Sequence, residues 1–269
     1  MIIYQIVIKG DARSEEYAAI SRASFQPAID AGFISEIKMF DAITPSSENF
    51  EEHVSRYNWA PSLMHADKKS GKKIEDHSPT EKAGMCSHWE LMRMQSLTPD
   101  RFFIIEHDTF LLQEHLDVFG ELIDYSLSRE PMYANIGLFM GCYSFTQATA
   151  AFQYSLLTKQ NFPINCGPYC TLQRLFRTYS TWHLEKADIR FFGKEVTVIH
   201  PWADCDTLGF GRECGIYFNN KDPDKKNSIP TPTTQVISKK LKVSQDHHTY
   251  IDLHIEQPWL RHNYFHIIE

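Results

Sequence analysis

Phe102-Phe103-Ile104-Ile105-Glu106-His107-Asp108-Thr109-Phe110-Leu111 reads as a buried strand that runs straight into two carboxylates flanking a histidine. Four consecutive large apolar residues are the pattern of a strand covered on both faces, as in the middle of a parallel sheet. Open α/β sheets bind their ligands outside the carboxyl ends of such strands. Glu106 and Asp108 are therefore placed to hold a divalent metal and the diphosphate it carries. Hard carboxylate oxygens suit Mg²⁺ or Mn²⁺, and a diphosphate supplies further oxygen ligands. Acids at strand ends also cap helices or pair with cations, and that plainer reading stands beside the metal one.

Upstream of this stretch the pattern alternates. Ile2 to Ile8 is a β-rich run closed by Lys9-Gly10-Asp11, and Ser14-Glu15-Glu16 opens a helical pattern that runs through Ile20 and Phe25. A second short strand, Glu36 to Phe40, ends in Asp41-Ala42-Ile43-Thr44-Pro45. This first β-α-β unit presents two polar loops on one edge of a sheet, where a nucleotide can be cradled. Residues 46–79 read as a polar, irregular excursion carrying Lys68-Lys69 and Lys72-Lys73. From Thr80 the pattern turns helical, with Met85, Trp89 and Met92 on one face, and Thr98-Pro99-Asp100 stops it before the Phe102 strand.

Downstream, Leu116, Phe119, Ile123 and Leu127 form a helical stripe, Tyr133 to Met140 a strand-like run, and Ala148, Phe152 and Leu156 a further helix face. A helix is expected from Gly167-Pro168, then strands at Ile189 to Phe192 and Val196 to Ile199. Alternation of this kind predicts an α/β fold with a mostly parallel sheet in three layers. A main domain is expected over 1–220. Residues 221–269 read as a linker rich in Pro, Asp and Lys, followed by an aromatic and histidine-rich C-terminal extension with Trp259, Tyr264 and Phe265 that packs on the body.

With 269 residues and 42% hydrophobic content the chain can bury a full core, which excludes a disordered polypeptide. Its formal charge of −7, from 27 basic and 34 acidic residues, leans against nucleic acid and acidic membranes as partners. The six cysteines are scattered without the spacing of a disulfide scaffold, and Cys166 and Cys170 lack the paired knuckles of a zinc site. The opening Met1 to Ile8 is too short for a signal segment and no apolar run reaches bilayer length. The expectation is a soluble cytoplasmic protein with reduced thiols and no membrane insertion.

Thr80-Glu81-Lys82-Ala83-Gly84-Met85-Cys86-Ser87-His88, followed by Phe103-Ile104-Ile105-Glu106-His107-Asp108, resembles the Gly-Glu-x-Gly-Cys-x-x-Ser-His and Leu-Glu-Asp-Asp segments of family 25 glycosyltransferases. Their best-known members work on lipopolysaccharide. The opening strand with Arg13 and the Phe40-Asp41-Ala42 turn are also similar to that family's start, so the resemblance spans about residues 2–200. Thr80 and Ala83 stand where the family has glycines, and His107 where it has the middle acid. The resemblance implies a GT-A fold, a nucleotide-sugar donor of the UDP type, Mn²⁺ or Mg²⁺, and inversion at the sugar carbon.

It also implies site residues. Lys9, Gly10, Arg13, Asp41, Ser87 and His88 would contact the donor, and Glu106 and Asp108 would hold the metal. A late histidine completes the metal site in many GT-A enzymes, which makes His200 a candidate. An inverting transfer needs a carboxylate to take the acceptor's proton, and Asp204 and Asp206 in the same loop are the candidates. Each has a plainer alternative: Arg13 as a solvated charge, Asp41 as a turn former, Ser87-His88 as a hydrogen-bonded helix pair, His200 as a structural histidine before proline.

The acceptor is a hydroxyl, on a glycan by analogy with the family. A hydroxymethylated base in DNA is the alternative, for which Lys68-Lys69, Lys72-Lys73 and Lys239-Lys240-Leu241-Lys242 supply local cations. A non-catalytic sugar or nucleotide-binding module is the reading from another class, favoured by His107 in place of an acid. A metal-dependent hydrolase is more distant, because the sequence lacks the His and Asp clusters of a two-metal centre.

Overall fold

The computed structural model describes residues 1–61, 76–130, 132–136, 140–165, 167–168, 171–172 and 175, with the backbone of 189–192 and 198–199. Strand β1 (Ile2–Val7) leads into helix α1 (Ala12–Asp30), which ends before strand β2 (Glu36–Asp41). A short helix α2 (Phe50–Ser55) and a two-residue strand β3 (Asn58–Trp59) follow. Helix α3 (Pro79–Ser96) then delivers the chain to β4 (Phe103–Glu106) and β5 (Phe110–Leu111). Helix α4 (Leu116–Arg129), strands β6 (Tyr133–Ile136) and β7 (Cys142–Phe145), helix α5 (Gln147–Lys159) and strand β8 (Pro163–Ile164) complete this part. Strands β9 (Ile189–Phe192) and β10 (Val198–Ile199) come later in the chain.

The helix starts are written in the sequence. Asp11 caps α1 by accepting from the Ser14 amide, and Ser78-Pro79-Thr80-Glu81 is a full capping box that starts α3 with proline in the first turn.

Six strands form the main sheet in the order β2-β1-β4-β7-β6-β9. Strands β2, β1 and β4 are parallel neighbours, β7 runs antiparallel to both β4 and β6, and β9 is parallel to β6. Only β7 is reversed, so the expected mostly parallel sheet is present. Period-two alternation sends side chains to two separate cores. Ile3, Phe103, Ile105, Ala134, Ile136 and Cys142 pack with Phe25 and Ala28 of α1 and Phe119 and Ile123 of α4. Ile6, Ile104, Tyr133, Tyr143 and Phe145 pack with Trp89 and Met92 of α3 and Leu156 and Leu157 of α5. The described chain is thus a sheet with helices on both faces.

Several expectations need correction. Residues 46–79 are not irregular throughout: α2 and β3 lie within them, and Phe50 and His53 of α2 are buried. Of the strand expected over Tyr133 to Met140, β6 covers Tyr133–Ile136, residues 137–139 lie outside the described residues, and Met140 has left-handed backbone at φ 67°. In α5 the buried face is Thr149, Ala150, Gln153, Leu156 and Leu157, so the face placed on Ala148, Phe152 and Leu156 is rotated. Leu127 at the end of the α4 stripe is 39% exposed. Residues 221–269, with the expected linker and extension, lie outside the described residues. Among the described residues no helix is long and apolar enough to cross a membrane.

The strand order fixes where a ligand fits. From β1 the chain moves to β2 on one side, and after β2 it crosses back to β4 on the other side of β1. The connections therefore diverge at the carboxyl ends of β1 and β4, the topological switch point at which open α/β sheets form a crevice.

Candidate functional site

Three strand exits border this crevice. After β1, Gly10 takes φ 82°, a left-handed turn that glycine adopts without strain. The turn is locked by the Asp11 amide donating to the Ile8 carbonyl at 3.1 Å, and by the Gly10 amide donating to Glu15 Oε1 at 2.8 Å. Helix α1 begins at once, so its N-terminal amides and the positive end of its dipole open beside Lys9 and Arg13.

The exit of β2 carries Asp41, in register with Val7 of β1. Lys9 Nζ lies 3.4 Å from Asp41 Oδ2, but the two side chains are 77% and 64% exposed, and a pair this wet contributes little. Between α1 and the β1 and β2 strands lies a cavity of about 340 Å³ with Val7, Ala18 and Met39 as apolar wall and Lys9, Arg22, Glu15 and Asp41 as charged lining.

The exit of β4 is the most constrained. Glu106, in phase with Ile104, lies on the α3 face of the sheet. Across the antiparallel β4–β7 pair Ile104 is opposite Tyr143, which puts Tyr143 on that face too. His88 of α3 bridges them, with Nε2 2.9 Å from Glu106 Oε1 and Nδ1 2.7 Å from the Tyr143 hydroxyl. Tyr143 is buried, and burial first, then Tyr133 and Glu106, push its phenol well above the ordinary value. One residue earlier on α3, Ser87 Oγ accepts from the Ile43 amide at 2.9 Å and donates to the Ala83 carbonyl at 3.0 Å. The pair Ser87-His88 therefore joins the segment after β2 to the end of β4.

The turn after Glu106 is fastened from the other side. Thr109 Oγ1 accepts from the Glu106 amide at 3.2 Å, and the Thr109 amide donates to the Glu106 carbonyl at 3.2 Å. From α1, Ser21 donates to the Thr109 carbonyl, and Ser24 accepts from the Leu111 amide at 3.0 Å. His107 lies parallel to the buried Tyr17 ring, with ring centres 6.2 Å apart and planes 18° apart. Arg13 approaches the same ring from 5.3 Å and donates to the Tyr17 hydroxyl. Asp108 is 1% exposed, while the Glu106 side chain keeps 21%.

Of the residues singled out in the sequence, Lys9, Gly10, Arg13, Asp41, Glu106 and Asp108 lie on the three exits that border the crevice. Ser87 and His88 stand behind two of those exits, with both His88 ring nitrogens engaged by protein. His200, Asp204 and Asp206 lie outside the described residues, as do Cys166, Cys170 and the lysine clusters at 68–73 and 239–242. Tyr143, Tyr17, Thr109 and Ser21 belong to the site and carry no motif. Only the β4–β7 register and the small polar face of α1 give them away.

The residues suit a metal of one particular kind. Among the described residues no group of three His, Cys, Asp or Glu side chains can hold an ion. Mg²⁺ and Mn²⁺ bound through substrate phosphates need only one or two protein carboxylates, the remaining oxygens coming from phosphate and water. Glu106 and Asp108 are two carboxylates at one strand exit, the number of protein ligands that such an ion needs.

No family model and no curated protein matches the chain. Among solved structures it is similar to the crystal structure of a glycosyltransferase involved in the glycosylation of the major capsid of PBCV-1. That match has a TM-score of 0.40 and 9% sequence identity, and covers 78% of this chain and 98% of that chain. A likeness this distant assigns neither family nor activity, so a functional reading rests on the crevice itself.

Proposed function

We propose that the chain is a GT-A-type glycosyltransferase that moves a sugar from a nucleotide-sugar donor of the UDP type to a hydroxyl acceptor, with inversion. The observation that carries this reading is the convergence of complementary chemistry on one switch point. The α1 N-terminus, Lys9 and Arg13 offer donors to a diphosphate, and two carboxylates stand on the neighbouring strand exit. The cavity beside Asp41 offers an apolar wall for a base and a carboxylate for ribose hydroxyls.

In this account Lys9 leaves its weak pair with Asp41 for phosphate, and Arg13 is directed by the Tyr17 hydroxyl. Glu106 and Asp108 would hold the divalent ion, which when bound neutralises charge developing on the departing diphosphate. Asp204 and Asp206 remain the candidates for the base that takes the acceptor's proton, and His200 for a further metal ligand.

A panel of sugar nucleotides tested by thermal shift and by transfer to simple hydroxyl acceptors, each with and without Mn²⁺, tests the reading. Metal-dependent stabilisation by one donor and turnover lost in Glu106→Ala are expected. Binding without any turnover, unchanged by that substitution, would instead describe a nucleotide-binding module.

A further inference from the structure

We propose that Ser87-His88 is a positioning bracket for this donor site, in which Tyr143 fixes the His88 tautomer so that Nε2–H aims at Glu106 and holds its carboxylate for the metal. The bracket rests on the functional reading above for its purpose, but its hydrogen-bond directions follow from donor and acceptor counting on a neutral His88 ring.

The Tyr143 hydroxyl is 1% accessible with its residue, and its hydrogen-bond partner is His88 Nδ1 at 2.7 Å. A buried phenol O–H must donate to something, and here the acceptor is Nδ1. An imidazole whose Nδ1 accepts carries its proton on Nε2, and that nitrogen faces Glu106 Oε1 at 2.9 Å. The carboxylate can only accept. With a neutral ring the chain Tyr143–His88–Glu106 runs in one direction, and the opposite tautomer, whose Nδ1–H would donate to the Tyr143 oxygen, would cost the phenol O–H its acceptor and set two acceptors against each other at Glu106.

The geometry extends to the second wall of the crevice. Ser87 holds the Ile43 amide, two residues after Asp41, from the same helical turn. One dipeptide on α3 therefore fixes the chain leaving β2 and the end of β4. Neither residue needs to touch a ligand to act. Partners that orient a metal-binding side chain typically change metal affinity or activity about 10–100-fold when removed.

Nitrogen NMR of the imidazole in the unliganded protein reads the tautomer directly, with His88→Gln to assign its signals. The expected result is the Nε2–H tautomer in the wild type. Binding of Mn²⁺ with UDP supplies the second readout. His88→Leu should weaken it about tenfold or more, while His88→Gln, whose amide offers one donor and one acceptor, should restore most of the affinity. An Nδ1–H tautomer in the wild type overturns the proposal, as does unchanged Mn²⁺–UDP affinity in His88→Leu. The NMR measurement needs neither metal nor nucleotide. It therefore decides the hydrogen-bond directions even where failure of the wild type to bind Mn²⁺–UDP removes the transferase reading.

Discussion

Ser87 Oγ lies 2.9 Å from the backbone nitrogen of Ile43, so helix α3 holds the chain leaving β2 through one side chain. Both groups are buried, and water cannot replace the hydroxyl without rearrangement. Ser87→Ala should therefore leave the Ile43 amide without its acceptor and lower stability by about 1–3 kcal/mol. Urea unfolding monitored by circular dichroism checks this, with an unchanged midpoint as the contrary result.

His53 predicts a pH dependence of stability. Burial first, then the Arg56 guanidinium, lower its pKa from the ordinary 6.5. Arg56 Nη1 lies 3.3 Å from Nδ1, and Asn49 Nδ2 lies 3.0 Å from Nε2. Because the folded pKa lies below the unfolded one, the unfolded chain takes up the proton first. The contribution is present above pH 6.5 and is lost as pH falls toward the folded pKa. His53→Gln should flatten the stability profile in that window, and a profile identical to that of the wild type would refute the assignment.

The thiols of Cys86 and Cys142 should be inert in the native protein. Both are buried, and burial pushes Cys86 up to about 12 and Cys142 higher still. Since the thiolate is the nucleophile, alkylation at pH 8 should leave these two unmodified until urea unfolds the chain. Peptide mass spectrometry distinguishes them from the other four cysteines.

Gly120 decides how closely α4 approaches the loop after α1. A Cβ placed there would lie 2.5 Å from the tip of the Phe33 ring. Alanine adds about 1 kcal/mol of helix propensity, but overpacking costs about 1–3 kcal/mol, so the clash outweighs the gain. Gly120→Ala should be destabilised, and Phe33→Leu in the same chain should recover part of the loss. A rise in melting temperature in the single variant would contradict this contact.

Much of this arrangement is legible in sequence, for identifiable reasons. The Ser78–Glu81 capping box, the Met85, Trp89 and Met92 stripe and the apolar run into Glu106 are local patterns, and they fix α3 and β4. The reversed strand β7 is not legible, because a four-residue strand carries no mark of its direction. Nor is the meeting of His88 with Tyr143, which are 55 residues apart and joined only by the Ile104–Tyr143 register. The face of α5 is not legible either, because Thr149 and Gln153 are buried, and hydrophobic periodicity does not see buried polar residues. Nor does the sequence show what His107 touches. Its ring lies against Tyr17, a contact set by the position of α1.

The central claim is that the crevice between β1 and β4 binds a nucleotide diphosphate with a divalent ion. Its most direct test is the thermal stability of the protein with UDP, with and without Mn²⁺, in the wild type and Glu106→Gln. At about 100 times Kd a ligand adds about 2.7 kcal/mol, a rise of roughly 5–10 °C for a domain of this size. The account predicts that rise only with Mn²⁺ present, and its loss in Glu106→Gln. No shift in the wild type, or an equal shift in the variant, would contradict it.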